Sequence, residues 1–241
     1  MNRVALIVSH GQPSDPGPAE AELAALAGQV AMLLPDWDMR SATLAQPGAL
    51  AQAVRGGPGL VYPMFMAGGW FTREQLPGRM AAAGAAGWEY LPPFGLDQAV
   101  QRLCMTMARA AAAAMGLTPA QVAVLLAAHG SGRSPAPAHV ANAMAARLRQ
   151  EAGFRRAEAY FIDQSPGIAT ARGFGAAALC LPFFAAKGDH VALDLPQALT
   201  KAGFAGKVLP PLGLDPRVPE LIAMALRRAG FTPPFSALVA G

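Results

Sequence analysis

Residues 179–196, LCLPFFAAKGDHVALDLP, repeat the pattern of residues 60–77, LVYPMFMAGGWFTREQLP. Pro63 matches Pro182 and Pro77 matches Pro196, each 119 residues on. The shift holds outward from this block in both directions. VALIVSHGQPSDP (4–16) matches VLLAAHGSGRSPAP (124–137), with His10 and His129 again 119 apart. SATLAQPG (41–48) matches YFIDQSPG (160–167), and LPPFGLDQAVQRL (91–103) matches LPPLGLDPRVPELI (209–222), with Asp97 and Asp215 118 apart. An offset this constant through four blocks marks an internal duplication, with halves 1–118 and 119–241.

Each half alternates short apolar runs with longer Ala- and Leu-rich stretches. In the second half the pattern predicts strands near 122–127, 157–162, 178–184 and 207–209, and helices near 137–152, 168–174, 191–202 and 216–229. A further helix over 98–115 closes the first half and leads into the second. Continuously apolar strands separated by helices imply parallel sheets covered on both faces, so the expected fold is α/β, two similar doubly wound lobes.

In an open parallel sheet, ligands bind beyond the carboxyl ends of the strands. His129, Asp163 and His190 each follow a predicted strand of the second half and converge on that edge. Their counterparts in the first half are His10, Leu44 and Phe71, with Met64, Met66 and Trp70 nearby. Only the second half therefore carries a complete His, Asp, His set. Facing lobes would present one coordinating wall and one aromatic and Met-rich wall, which suits a large, flat, anionic ligand. Two neutral imidazoles and a carboxylate suit a borderline divalent metal, and imidazole also accepts protons near neutral pH.

The H-G-S of 129–131, followed about sixty residues on by G-x-H-V-x-x-D-L-P, resembles the CbiX-type class II tetrapyrrole chelatases in their double-length, internally duplicated form. The resemblance covers essentially the whole chain. It implies a chelatase fold of two flavodoxin-like lobes that inserts a divalent metal (Co2+, Fe2+ or Ni2+, as substrate) into sirohydrochlorin or a related precursor, for sirohaem or cobalamin synthesis. The family's two histidines carry over to His129 and His190, which would hold the metal or accept the pyrrole protons, with Asp163 as the acidic partner. The macrocycle would lie against Met66, Trp70 and Phe71, with Ser131, Arg133, Lys187 and His10 as further substrate contacts. The family's H-G-S-R reads here as HGSGR, with Arg133 displaced by one, and the first half lacks the second histidine and the acid.

Composition narrows the alternatives. At 241 residues and 53% hydrophobic the chain can bury one large core or two smaller ones, and no run reaches the ~20 apolar residues of a membrane-spanning helix. The opening residues are too short an apolar run for a secretion signal, so a cytoplasmic location is expected. Cys104 and Cys180 lie far apart with no C-x-x-C, which excludes a zinc knuckle, an iron–sulfur cluster and a disulfide framework. Of the net charge of +4, the first half carries −1 and the second +5, consistent with an anionic ligand in the second; few aromatics accompany the basic residues, which argues against nucleic acid. No permanently bound cofactor is expected, and with both lobes in one chain either a monomer or a homodimer completes the site. No G-x-S-x-G elbow is present, and Ser9 and Ala128 stand where a histidine phosphatase needs arginine. The remaining alternative is a non-catalytic tetrapyrrole or metal carrier on the same fold.

Overall fold

The computed structural model describes residues 3–188 and 190–231, with the backbone alone at His190 and Phe231. The first repeat runs β1 (Arg3–Ser9), α1 (Pro16–Leu33), β2 (Trp37–Thr43), α2 (Ala49–Ala53), β3 (Leu60–Pro63), α3 (Leu76–Ala82), β4 (Glu89–Tyr90) and α4 (Gln98–Ala114). The second runs β5 (Ala123–Ala128), α5 (Ala136–Gln150), β6 (Arg156–Phe161), β7 (Ala178–Pro182), α6 (Leu195–Ala202), β8 (Lys207–Val208) and α7 (Val218–Phe231). Each repeat forms its own four-stranded sheet, in the orders β2-β1-β3-β4 and β6-β5-β7-β8, and all the pairings are parallel. This is the doubly wound order in which the chain leaves the first strand of each sheet in opposite directions.

Residue pattern explains why β5 is central. All six of its residues are buried. Ala123, Leu125 and Ala127 join Ile168, Cys180, Leu195 and Leu199 in one apolar cluster. Alternation sends Val124 and Leu126 to the opposite face, so a strand buried on both sides must be apolar throughout. Each fully buried Leu or Val there contributes about 2 kcal/mol. The edge strands are different: Asp38 and Arg40 on β2, and Arg156 and Glu158 on β6, form ion pairs on one strand face (Arg40 Nε to Asp38 Oδ2, 3.0 Å; Arg156 Nε to Glu158 Oε1, 2.8 Å). By sheet register these are the same two positions with the charges exchanged. Charged pairs on an edge discourage strand addition from another molecule.

The chain falls into two compact units that do not follow the repeat boundary at 118/119. Among the described residues, one contains 3–64, 72–93 and 216–231; the other contains 65–71 and the rest of 94–215. The closing helix of each repeat is thus assigned to the other unit. α7 packs on α1 and β3, and Arg227 Nη2 donates to Leu33 O at 2.6 Å. α4 packs on β7, is capped by Asp97 accepting from Ala99 N at 2.8 Å, and is tied to the end of α5 by Arg109 Nη2 donating to Glu151 O at 2.6 Å.

Two expected helices take another form. Over 168–174 only a single 3-10 turn forms, Ile168–Thr170, because Ala171 is extended and Gly173 has φ +77°. Over 191–202 the chain makes a π turn, His190–Asp194, before α6; the first repeat does the same with Phe71–Gln75 before α3. Pro77 and Pro196 sit in the first turns of α3 and α6, where a missing N–H costs nothing. Among the described residues no helix is long and apolar enough to cross a membrane.

Candidate functional site

His129 is the first residue past β5, and Asp163 lies just past β6. The pairing of the two strands continues one step beyond the sheet: Asp163 N donates to His129 O at 2.9 Å. That register brings the side chains together, with Asp163 Oδ2 3.4 Å from His129 Nδ1. The same nitrogen lies 3.1 Å from Gly130 O. With two oxygen acceptors beside Nδ1, the tautomer that carries its proton on Nδ1 is the favoured one. Both side chains are about half exposed, 45% and 47%, so the pair faces solvent at the sheet edge.

The turn after His129 is built from backbone-directed hydroxyls. Gly130 has φ +77°, and a Cβ there would lie 2.6 Å from Gln164 Cγ. Ser131 N donates to Gln164 Oε1 at 2.8 Å. Ser131 Oγ accepts from the backbone N–H groups of Arg133 and Ser134, both at 3.2 Å, and Ser134 Oγ accepts from Ala136 N at 3.3 Å, leading into α5. The Ser131 oxygen is thus occupied by the turn, and its O–H remains a donor.

Residues 65–71 of the first repeat belong to the same compact unit as this turn. A Cβ on Gly69 would lie 3.3 Å from Ala136 Cβ and 3.8 Å from Ser134 Oγ, so the segment runs beside the start of α5. Met66 and Phe71 are half-buried, and the Phe71 ring packs on Phe65 at 5.2 Å; Trp70 is 58% exposed. Arg133 and Lys187 are exposed, and neither charged group forms an ion pair among the described residues. The His190 backbone opens the π turn after β7, but its side chain and Asp189 lie outside the described residues. Single π turns inside helices recur at functional positions.

The first repeat carries His10 at the matching edge of its own sheet, exposed, with Nδ1 3.2 Å from Gly11 O. Its partner differs from the sequence expectation. Ser9 pairs with Thr43 whereas Ala128 pairs with Phe161, so β2 and β6 are related by 118 residues, not 119. Ala45, not Leu44, therefore occupies the place of Asp163, and its N–H donates to His10 O at 3.0 Å. No acid stands at that position.

Other chemistry is accounted for. Burial pushes the thiols of Cys104 and Cys180 up to about 12, so neither supplies a thiolate near neutral pH. No cluster of three His, Cys, Asp or Glu occurs among the described residues. A cavity of about 410 Å³ lined by Val54, Arg55, Pro58, Ala83 and Trp88 lies at the amino ends of β3 and β4, the opposite edge of that sheet from His10. Gln164, which braces the turn after His129, is the residue that sequence reasoning overlooks; its signal was the His-Gly turn, whose glycine leaves room for a neighbour.

Two doubly wound lobes with these sheet orders define the chelatase fold. SirB from Bacillus subtilis with Fe3+ superposes with a TM-score of 0.72 at 16% identity, covering 96% of each chain. DR2241 from Deinococcus radiodurans, a multi-domain protein with structural similarity to chelatases, gives 0.69 at 22% identity, covering 94% of this chain and 54% of its own. The chain belongs to the CbiX family. The family profile matches residues 123–229. The solved structure of CbiX, the terminal enzyme for biosynthesis of siroheme in denitrifying bacteria, is 48% identical over 94% of this chain and 99% of that one, with a TM-score of 0.87. No curated protein sequence matches.

Proposed function

We propose that this protein is a sirohydrochlorin chelatase, inserting Co2+ or Fe2+ into sirohydrochlorin or a close precursor, with release of two protons. The 48% identity to the siroheme-synthesis CbiX along nearly the whole chain carries this reading, and the imidazole–carboxylate pair at the sheet edge supports it. A sirohydrochlorin chelatase from Bacillus subtilis subspecies spizizenii in complex with cobalt shares the fold at 16% identity, with a TM-score of 0.67.

In this reading His129 Nε2 and His190 take the incoming metal or the pyrrole protons, and Asp163 orients His129 and balances charge. Met66, Trp70 and Phe71 form the apolar floor for the macrocycle. Arg133 and Lys187 meet its peripheral carboxylates, helped by the Ser131 O–H. His10 is assigned to substrate contact on its chemistry alone. The lobes 1–118 and 119–241 are the evolutionary units, with the chemistry in the second and the first degenerate. The protein works in the cytoplasm on a small-molecule tetrapyrrole and a metal ion, as a monomer or homodimer, without nucleic acid, membrane or a resident cofactor.

The test is to mix the protein with sirohydrochlorin and Co2+ or Fe2+ and follow the visible spectrum against a protein-free blank. Multiple turnovers above the blank establish a chelatase. Stoichiometric binding of the macrocycle without acceleration moves the protein to the carriers.

A further inference from the structure

We propose that Gln164 is a positioning residue for His129, holding the imidazole in place by gripping the turn that follows it. The inference rests on the assignment of His129 to the metal-handling site.

Three observations carry it. Gln164 Oε1 accepts the Ser131 N–H at 2.8 Å, a bond between residues 33 apart in sequence that crosses from the β6 exit to the β5 exit. The Gln164 side chain also fills the hollow of the turn: its Cγ and Oε1 lie 2.6 and 2.9 Å from where a Gly130 Cβ would be. And its neighbour Asp163 holds the other side of the same turn, donating its N–H to His129 O at 2.9 Å while its carboxylate faces Nδ1. One dipeptide therefore fixes the backbone on both sides of Gly130 and the ring orientation together. Gly130 at φ +77° has no side chain of its own to resist rotation, so the polar clamp supplies the rigidity.

The first repeat fills the equivalent hollow by other means. Thr43 Cβ and Oγ1 lie 2.7 and 2.9 Å from a Gly11 Cβ, and Glu20 Oε2 holds Thr43 through its N–H at 2.7 Å and its hydroxyl at 2.6 Å. Both His-Gly turns are thus braced from the neighbouring strand. Only in the second is the brace adjacent in chain to a carboxylate facing the imidazole.

Misplacing a reacting group by about 1 Å costs up to ~100-fold in rate, whereas substrate affinity drawn from other contacts survives. The experiment compares Gln164→Met, which keeps volume and loses the acceptor, with Gln164→Glu, which keeps both, in Co2+ insertion into sirohydrochlorin. Amide exchange at Ser131 is read by NMR in the same variants. The expected result is a kcat lowered about tenfold or more in Gln164→Met, with KM for sirohydrochlorin changed by less than about twofold and faster Ser131 exchange, and recovery of both kcat and protection in Gln164→Glu. An undiminished kcat in Gln164→Met, or an equal loss in Gln164→Glu, overturns the proposal. His129→Ala is the separate control: if it retains full kcat, the assignment of His129 fails and the positioning role with it, whereas its loss beside an active Gln164→Met sinks the clamp alone.

Discussion

Asp163 Oδ2 lies 3.4 Å from His129 Nδ1 because the β5–β6 ladder runs one residue past the sheet and sets the two side chains opposite each other. The carboxylate can hold the ring in the tautomer protonated at Nδ1. Replacing Asp163 by Asn should lower metal insertion about 10- to 100-fold, the usual effect of removing an orienting partner from a ligating histidine. Because the pair is half exposed, thermal unfolding should move by no more than the equivalent of about 0.5 kcal/mol. Steady-state rates and a melting curve on one preparation check both.

Gly130→Ala is expected to destabilise the fold by about 1–3 kcal/mol, since the new methyl meets Gln164 and the backbone sits at φ +77°. Gly84, at φ +86° with open space around it, is the comparison: Gly84→Ala carries the backbone strain alone, about 1 kcal/mol. Urea unfolding of the two variants separates the packing contribution from the conformational one.

How much of this was readable beforehand depended on whether the physics was local. The apolar run of β5 and the constant shift between repeats predict the sheets, since a strand buried on both faces must be apolar. His129 and Asp163 stand out because strand ends in such sheets converge on one edge. The register of β2 was not legible: Ala45 replaces Leu44 opposite His10 because the connection before that strand differs by one residue from its copy, and Pro47 matching Pro166 concealed it. The π turns were hidden because Phe71 and His190 continue an ordinary helical pattern into α3 and α6. Gln164 escaped notice because its role depends on a turn 33 residues away. The placement of α4 and α7 in opposite units is a tertiary choice that helical periodicity does not encode.

Arg156 holds the Glu158 carboxyl below its usual range through a direct hydrogen bond, against an opposing effect of burial. A depressed carboxylate stabilises the fold above the ordinary range of ~4.3 and ceases to do so as pH falls through its folded value. Glu158→Gln should therefore cost about 0.5 kcal/mol at pH 7, after allowance for solvent screening of this half-exposed pair, and less at pH 3, where the carboxylate is losing its charge. Urea midpoints at the two pH values read the difference.

Cys104 and Cys180 are buried, with thiols pushed up to about 12. Neither should react with a thiol reagent at pH 8 in the native protein, and both should react at once in denaturant. A native protein that is labelled at either position would place that residue nearer the surface than the fold allows.

The most direct test of the central claim is the single-turnover rate of Co2+ insertion into sirohydrochlorin by His129→Ala and His190→Ala beside the unaltered protein. Each substitution should lower the rate about 100-fold or more while macrocycle binding persists. Insertion at an undiminished rate in either variant would contradict it, and would move the chemistry away from the second sheet's edge.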